Sequence, residues 1–182
     1  MIELCMGIDL QVLQFFYHLR TPLLTSLMVG ITTLGGRVLI LFGILVTLFL
    51  LIKRYYSKAF QFASTIILGG VLNILLKNIF QRARPQFYPL IKETDFSYPS
   101  GHAMNSLIFY LLLSYIFFRI TKNTKLSIVF TSFSIFLIAL IGVSRVYLGV
   151  HYPTDVIGGY MGGGILLLFI YLIKIVIKRS IK

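Results

Sequence analysis

Acidic residues are scarce in this chain: five Asp and Glu stand against 17 Lys and Arg in 182 residues, and charged residues make up only 12% of the total. A soluble domain carries about twice that share, so a surface wetted on all sides is excluded. The one cysteine, Cys5, leaves no intrachain disulfide framework and no CxxC metal or redox motif. It is read as a bystander. No Lys or Arg precedes Arg20, whereas Glu3 and Asp9 do, so the basic start of a cleavable signal peptide is missing and the apolar segments are expected to stay in the mature chain. Internal repeats, low-complexity tracts, sustained heptads and a linker long enough to separate a second domain are also lacking. One domain, residues 1–182, is expected.

What is abundant is apolar: 58% of the residues are hydrophobic. Four runs are clean and bounded by ionisable residues, Ala59–Leu76, Ala103–Phe118, Leu126–Ser144 and Val156–Ile173. Each falls slightly short of the roughly 20 residues a helix needs to cross hydrocarbon, and flanking Lys and Arg can snorkel to cover the difference. Thr21–Ile52 is broken only by Gly35, Gly36 and Arg37 and is too short for two spans and a turn, which would take about 40 residues. One span is therefore placed at Val38–Ile52, and the preceding stretch is read as a helix lying at the interface or dipping into it. Asp9, Gln11, Gln14, His18 and Arg20 interleave with Leu10, Leu13, Phe16 and Leu19, a pattern that suits an amphipathic surface helix. The expectation is an all-α polytopic transmembrane bundle of five spans plus an N-terminal interfacial helix, with six spans as the rival count. The net charge of +12 would point to nucleic acid in a soluble protein, but these cations sit in short clusters between apolar runs. Membrane orientation accounts for them, and no nucleic-acid partner is expected.

Counting spans assigns the sides. Lys77, His102, Arg145 and Asp155 all fall on one face, although they come from separate segments. The opposite face receives ten basic residues (Lys53, Arg54, Lys58, Arg119, Lys122, Lys125, Lys174, Lys178, Arg179 and Lys182) and no acid. By the positive-inside rule that second face and the C-terminus are cytoplasmic, and the first faces outward.

Three segments on the outward face carry chemistry. Lys77, Arg82, Arg84 and Pro85 close one helix; alone they fit a solvated helix end, but Arg and Lys together can also hold a tetrahedral dianion. Pro99-Ser100-Gly101-His102 precedes an apolar run, which puts Ser100 at an N-cap and aims backbone N–H groups outward as an anion site. Pro-Ser-Gly is also an ordinary helix start, whereas His102 at the boundary suits proton donation to a leaving oxygen. Ser144-Arg145 leads to His151 and Asp155, four residues apart with Pro153 between them. A carboxylate on one ring nitrogen would leave the other as a nucleophile. That pair alone fits a structural histidine or a metal pair equally well.

Taken in order, KxxxxxxRP (Lys77–Pro85), PSGH (Pro99–His102) and SRxxxxxHxxxD (Ser144–Asp155) resemble the three-motif signature of the type-2 phosphatidic acid phosphatase superfamily, with no signature position missing. The resemblance implies that His151 is a nucleophile forming phosphohistidine, Asp155 its orienting partner and His102 the acid for the leaving group. Lys77, Arg84, Ser100, Gly101 and Arg145 take the place of the phosphate-binding set. It further implies a metal-independent lipid phosphatase without cofactor, in which cations and a helix N-terminus supply the charge stabilisation. Membrane members usually have six spans, and here the first is missing or reduced to the N-terminal surface helix. Small bacterial members point to undecaprenyl diphosphate or phosphatidylglycerophosphate as substrate, with lipid A 1-phosphate as runner-up, in the inner (cytoplasmic) membrane. Phosphoryl transfer to an acceptor other than water is an alternative. A binding or transport protein for anionic lipid is another, but it would have no use for an HxxxD pair and a second histidine.

The remaining features carry modest expectations. Gly158, Gly159, Gly162 and Gly163 form two overlapping GxxxG pairs that let a helix approach closely. Asn73 and Asn105 are expected to hydrogen-bond between helices. Glu93 and Asp95 fit either substrate discrimination or a solvated loop. Phe87, Tyr88, Phe96, Tyr98, Tyr147 and Tyr152 are placed to guide a lipid headgroup.

Overall fold

A computed structural model describes residues 2–180. The side chains of Glu3, Cys5 and Lys178 and the whole of Lys182 fall outside the description, and with them the reading of Cys5 as a bystander. The helices are α1 (Ile2–His18), α2 (Pro22–Thr33), α3 (Arg37–Ile52), α4 (Tyr56–Phe80), α5 (Gly101–Thr121), α6 (Thr124–Tyr147) and α7 (Pro153–Ser180), and no strand occurs among the described residues. Among the described residues, five segments are long and apolar enough to cross a membrane: Pro22–Ile52, Tyr56–Phe80, Gly101–Thr121, Thr124–Tyr147 and Pro153–Ile177. Five spans and an N-terminal helix are thus what the chain forms. Local chemistry writes the ends: Thr21 caps α2 by accepting from the Leu24 N–H at 3.2 Å, and Asn123 caps α6 through the Leu126 N–H at 3.0 Å.

The first crossing differs from expectation. It runs from Pro22 rather than Val38, in two pieces: α2 leans on α6, where Thr25 Oγ1 and the Tyr147 hydroxyl lie 2.9 Å apart, and turns through Leu34–Gly36 into α3. The two glycines are what let this turn press on the bundle. A Cβ at Gly35 would lie 2.5 Å from Ile141 Cγ2, and one at Gly36 2.7 Å from His102 Nε2. The amphipathic reading of α1 also needs correction. Asp9, Leu13 and Phe16 share the face turned to α6 and α7, and Asp9 is fully buried while Leu10 and Leu19 stay exposed. A carboxylate displaces apolar side chains from the packed face because it finds charged and hydroxyl partners there, Arg82 and Thr154.

Helix α5 is the centre, packed on α3, α4, α6 and α7. Away from the motif residues it joins Leu39, Leu50, Phe62, Phe109, Leu112 and Ile116 in one apolar cluster; near them Leu13, Ala103, Val146 and Val156 form a second. Large apolar side chains such as Ile40, Ile67, Phe136 and Ile165 remain on the outside, as a lipid-facing surface requires. Asn73 donates to the Pro99 carbonyl at 3.3 Å and so ties α4 to the start of α5, whereas Asn105, expected to do the same, makes no side-chain hydrogen bond among the described residues and turns its Oδ1 toward Gly69.

Helix α7 approaches α5 backbone to backbone. A Cβ at Gly159 would lie 2.6 Å from the Ser100 carbonyl oxygen and 3.1 Å from the Met104 nitrogen, and one at Gly163 would lie 3.1 Å from the Met104 carbonyl oxygen. These neighbours are backbone and cannot swing aside. Gly159→Ala should therefore cost about 1–3 kcal/mol, as overpacking does, read as a lowered Tm in detergent. Gly164→Ala, with nothing within 4 Å, should melt like the parent; equal melting of both variants would refute the close-packing account.

Candidate active site

Helices α4, α5, α6 and α7 deliver the three motifs to the same end of the bundle, and the loop between α4 and α5 folds over them. His151 sits in the short loop between α6 and α7, almost wholly buried. Gly149 makes that loop possible, because its φ of +72° falls in the left-handed region. Arg20, expected on the polar side of α1, clamps the loop from outside: it donates to the Tyr147 carbonyl at 2.9 Å and to the Tyr88 carbonyl at 2.7 Å.

The tautomer of His151 follows from its neighbours. Arg84 Nη1 lies 3.1 Å from Nε2, and a guanidinium can only donate, so Nε2 must accept and the ring proton sits on Nδ1. Nδ1 faces Asp155 Oδ2 at 3.4 Å and Ser97 Oγ at 3.5 Å. Burial pushes the imidazole down to about 4; Arg84 and Arg145 push the same way, and the Asp155 hydrogen bond opposes them. At neutral pH the ring is therefore neutral, with its Nε2 lone pair turned toward Arg84.

Asp155 is fully buried on the first turn of α7. Its Oδ2 accepts from Ser97 Oγ and, at 2.9 Å, from the Tyr152 N–H, while Oδ1 accepts from Arg82 Nη1 at 2.6 Å. Its carbonyl takes the Ser100 N–H at 3.0 Å, which links the HxxxD segment to the start of α5.

Three cations gather near His151: Arg84 touches it, Arg145 is near enough to act on its charge, and Lys77 is linked to Arg84 through Asp95. Lys77 and Arg145 are buried and Arg84 is largely so. Arg84 Nη1 also donates to the Val150 carbonyl at 2.7 Å. Arg145 donates to Thr32 Oγ1 of α2 at 2.9 Å. Loop carboxylates cover all three. Asp95 pairs with Lys77 at 3.0 Å and with Arg84, and Glu93 pairs with Arg145. Partial burial works against ionisation of Asp95, but hydrogen bonds from Arg84 and Lys77 hold its carboxyl below the usual range. Arg145 Nε is left buried without an acceptor among the described residues. An orphaned buried N–H of this kind is costly, and a phosphate oxygen would satisfy it.

Ser100 is the N-cap of α5, its hydroxyl 3.5 Å from the Ala103 N–H, and Gly101 packs against Asn73, whose Oδ1 would lie 2.9 Å from a Cβ there. His102 occupies the first turn of α5 with its ring against Gly36, within electrostatic reach of Arg145 and Arg84. Its imidazole makes no hydrogen bond among the described residues. Arg84, His151 and Asp155 are thus in direct contact, Lys77 joins Arg84 through Asp95, and Arg145 lies near enough to act on the charge of His151, with Ser100, Gly101 and His102 on the adjoining helix start. Sequence reasoning missed Asp9, Arg82, Ser97 and Thr32 as members of this cluster and left Glu93 and Asp95 undecided. Arg82 alone carried a local signal, as the third cation of Lys77–Arg84. Among the aromatics, Tyr147 is buried and bonded to Thr25, so it cannot guide a headgroup, while Tyr88 and Phe96 are exposed.

A family model described as the PAP2 superfamily matches residues 58–178. Phosphatidylglycerophosphatase B of Bacillus subtilis is 35% identical over 166 residues, covering 86% of this chain and 76% of that protein. An undecaprenyl-diphosphatase of Sulfolobus acidocaldarius is 28% identical over 170 residues, covering 86% and 74%. In structure, the chain superposes on the transmembrane PAP2-type phosphatidylglycerolphosphate phosphatase of Bacillus subtilis with a TM-score of 0.85 at 32% identity, over 97% of this chain and 87% of the other. With its spans, its clustered motif residues and these relatives taken together, the chain belongs to the PAP2 superfamily, as a multi-pass membrane phosphatase.

Proposed function

We propose that the chain, with residues 1–182 acting as one unit, hydrolyses a lipid phosphate or diphosphate through a phosphohistidine on His151. The observation that carries this reading is the setting of His151, whose proton-bearing nitrogen faces Asp155 while the lone pair of the other faces Arg84. Substrate phosphate takes the places of Asp95 and Glu93 on Lys77, Arg84 and Arg145, and supplies the acceptor that Arg145 Nε lacks. Drawn to the phosphate, Arg84 releases the Nε2 lone pair. The bound phosphate dianion favours a proton on His102; Nε2 then attacks phosphorus in line, the bond to the lipid oxygen breaks, and protonated His102 gives that oxygen its proton. Asp155 stabilises the positive ring. Water next attacks phosphohistidine and passes its proton to His102, the P–N bond breaks, and phosphate leaves. Lys77, Arg84, Arg145 and the N-terminus of α5 at Ser100 and Gly101 stabilise the charge that develops on the oxygens.

The basic ends at Lys53–Lys58, Arg119–Lys125 and Lys174–Arg179 favour a cytoplasmic C-terminus and a site at the outer surface of the inner membrane. Similarity to the relatives above favours phosphatidylglycerophosphate or undecaprenyl diphosphate over lipid A 1-phosphate.

Phosphate release in detergent from each of those three lipids tests the proposal. His151→Ala should insert and fold yet fall to background, and His102→Ala should lose about 10²–10⁴-fold in kcat. Normal turnover by His151→Ala would sink the mechanism, and recovery of the phosphoryl group on an alcohol rather than as free phosphate would identify a transferase. Because the His151 ring loses its proton near 4, its imidazole signal in histidine-labelled protein in detergent should titrate with a midpoint near 4, a readout free of the substrate phosphate, which itself titrates at about pH 6. A midpoint near 6.5 would contradict the site described. Asp95→Asn removes a half-exposed competitor; an ion pair of this kind is worth up to about 1 kcal/mol, so KM should drop roughly two- to fivefold with kcat held. An unchanged or raised KM would show that Asp95 does not compete with substrate.

A further inference from the structure

We infer that Asp9 and Arg82 are positioning residues, forming an ion-pair relay from α1 through Arg82 to Asp155 that sets the carboxylate orienting His151. The inference rests on His151 being the nucleophile. Asp155 is fully buried, and the neutral ring of His151 brings it no charge. Arg82, at 2.6 Å, is the cation that touches it, and a buried carboxylate without a counter-charge is severely penalised.

Arg82 needs holding in turn. It lies just past α4, with its side chain 27% exposed, and a long flexible side chain there has many rotamers. Its fork is split between two carboxylates. One branch, Nη1, serves Asp155 and Thr154 Oγ1, the latter at 2.7 Å; the other, Nη2, donates to Asp9 Oδ2 at 2.7 Å. Its guanidinium carbon lies over the Tyr152 ring, 4.1 Å from the centroid. Asp9, fully buried and 73 residues away from Arg82 in the chain, is itself anchored by the Thr154 N–H at 3.1 Å and the Thr154 hydroxyl at 2.6 Å. It thus accepts from a free N–H in the first turn of α7, where a negative charge is favoured. One carboxylate of α1 therefore holds both the helix that carries Asp155 and the cation that neutralises it.

An ion pair that merely docked α1 could sit anywhere along the helix. Here it shares its guanidinium with the group that touches the nucleophile. The charges matter as well as the geometry. Asp9, Arg82 and Asp155 sum to −1, beside a ring that becomes positive when Nε2 bonds phosphorus; without Asp9 the sum is zero. Loss of the relay should consequently fall on the chemical steps and spare substrate binding, since Lys77, Arg84 and Arg145 are untouched.

The test is steady-state and single-turnover hydrolysis by the full chain in detergent, using whichever of phosphatidylglycerophosphate or undecaprenyl diphosphate the parent cleaves. Asp9→Asn, which keeps the shape and some of the Thr154 contacts, should lose about tenfold in kcat with KM within twofold and a near-parental Tm. Arg82→Gln should lose more, and Arg82→Lys should recover some of that loss by restoring the charge without the fork. In an Asp155→Asn background Asp9→Asn should cost little further. Parental kcat in both Asp9→Asn and Arg82→Gln would overturn the relay, as would a loss confined to KM or full additivity with Asp155→Asn. If Asp9→Asn does not fold, the Arg82→Gln and Arg82→Lys pair decides on the same criteria. Failure of the underlying reading looks different: the parent releases no phosphate, or His151→Ala stays active.

Discussion

Everything at the working end of this bundle depends on keeping a carboxylate, Asp155, buried and oriented beside a neutral histidine. Burying that charge is costly, and the fold answers with four donors from four places: Arg82 past α4, Ser97 in the long loop, the Tyr152 N–H at the start of α7, and the His151 ring. None would suffice alone. The loop between α4 and α5 is long and polar because it supplies these donors, and α1 is docked where Asp9 can reach them.

Balance of charge then explains the remaining side chains. Lys77, Arg84 and Arg145 would repel one another if left bare at this spacing, and Asp95 and Glu93 neutralise them. This arrangement permits three cations to stand together without a ligand, ready for the phosphate dianion of the proposed reaction. The acids also set a threshold, because a ligand must outcompete two carboxylates to reach the cations. A dianion does so more readily than a diester carrying a single charge.

Backbone proximity is the second requirement. Motif residues on α5 and α7 can share a site only if the helices nearly touch, and Gly159 and Gly163 bring α7 against the backbone of α5 between Ser100 and Met104. Gly35 and Gly36 bring the α2–α3 turn onto Ile141 and the His102 ring in the same way. The glycines thus do for the backbone what the ion pairs do for the side chains.

The five spans, the N-terminal helix and the gathering of Lys77, His102, Arg145 and Asp155 at one end were legible in the amino-acid order, because hydrocarbon thickness sets helix length and polar groups must leave the bilayer. So were the three motifs, since each is local and its spacing is set by one helix end. What only the tertiary structure decided is which charge meets which. Asp9 reads as the polar face of an amphipathic helix and is instead buried against Arg82 and Thr154, and Thr32 reads as one more residue of an apolar run and instead holds Arg145. Such pairings join residues 73 to 145 positions apart. No periodicity records them, because a helix period reports only that a side chain faces inward and says nothing of what waits there.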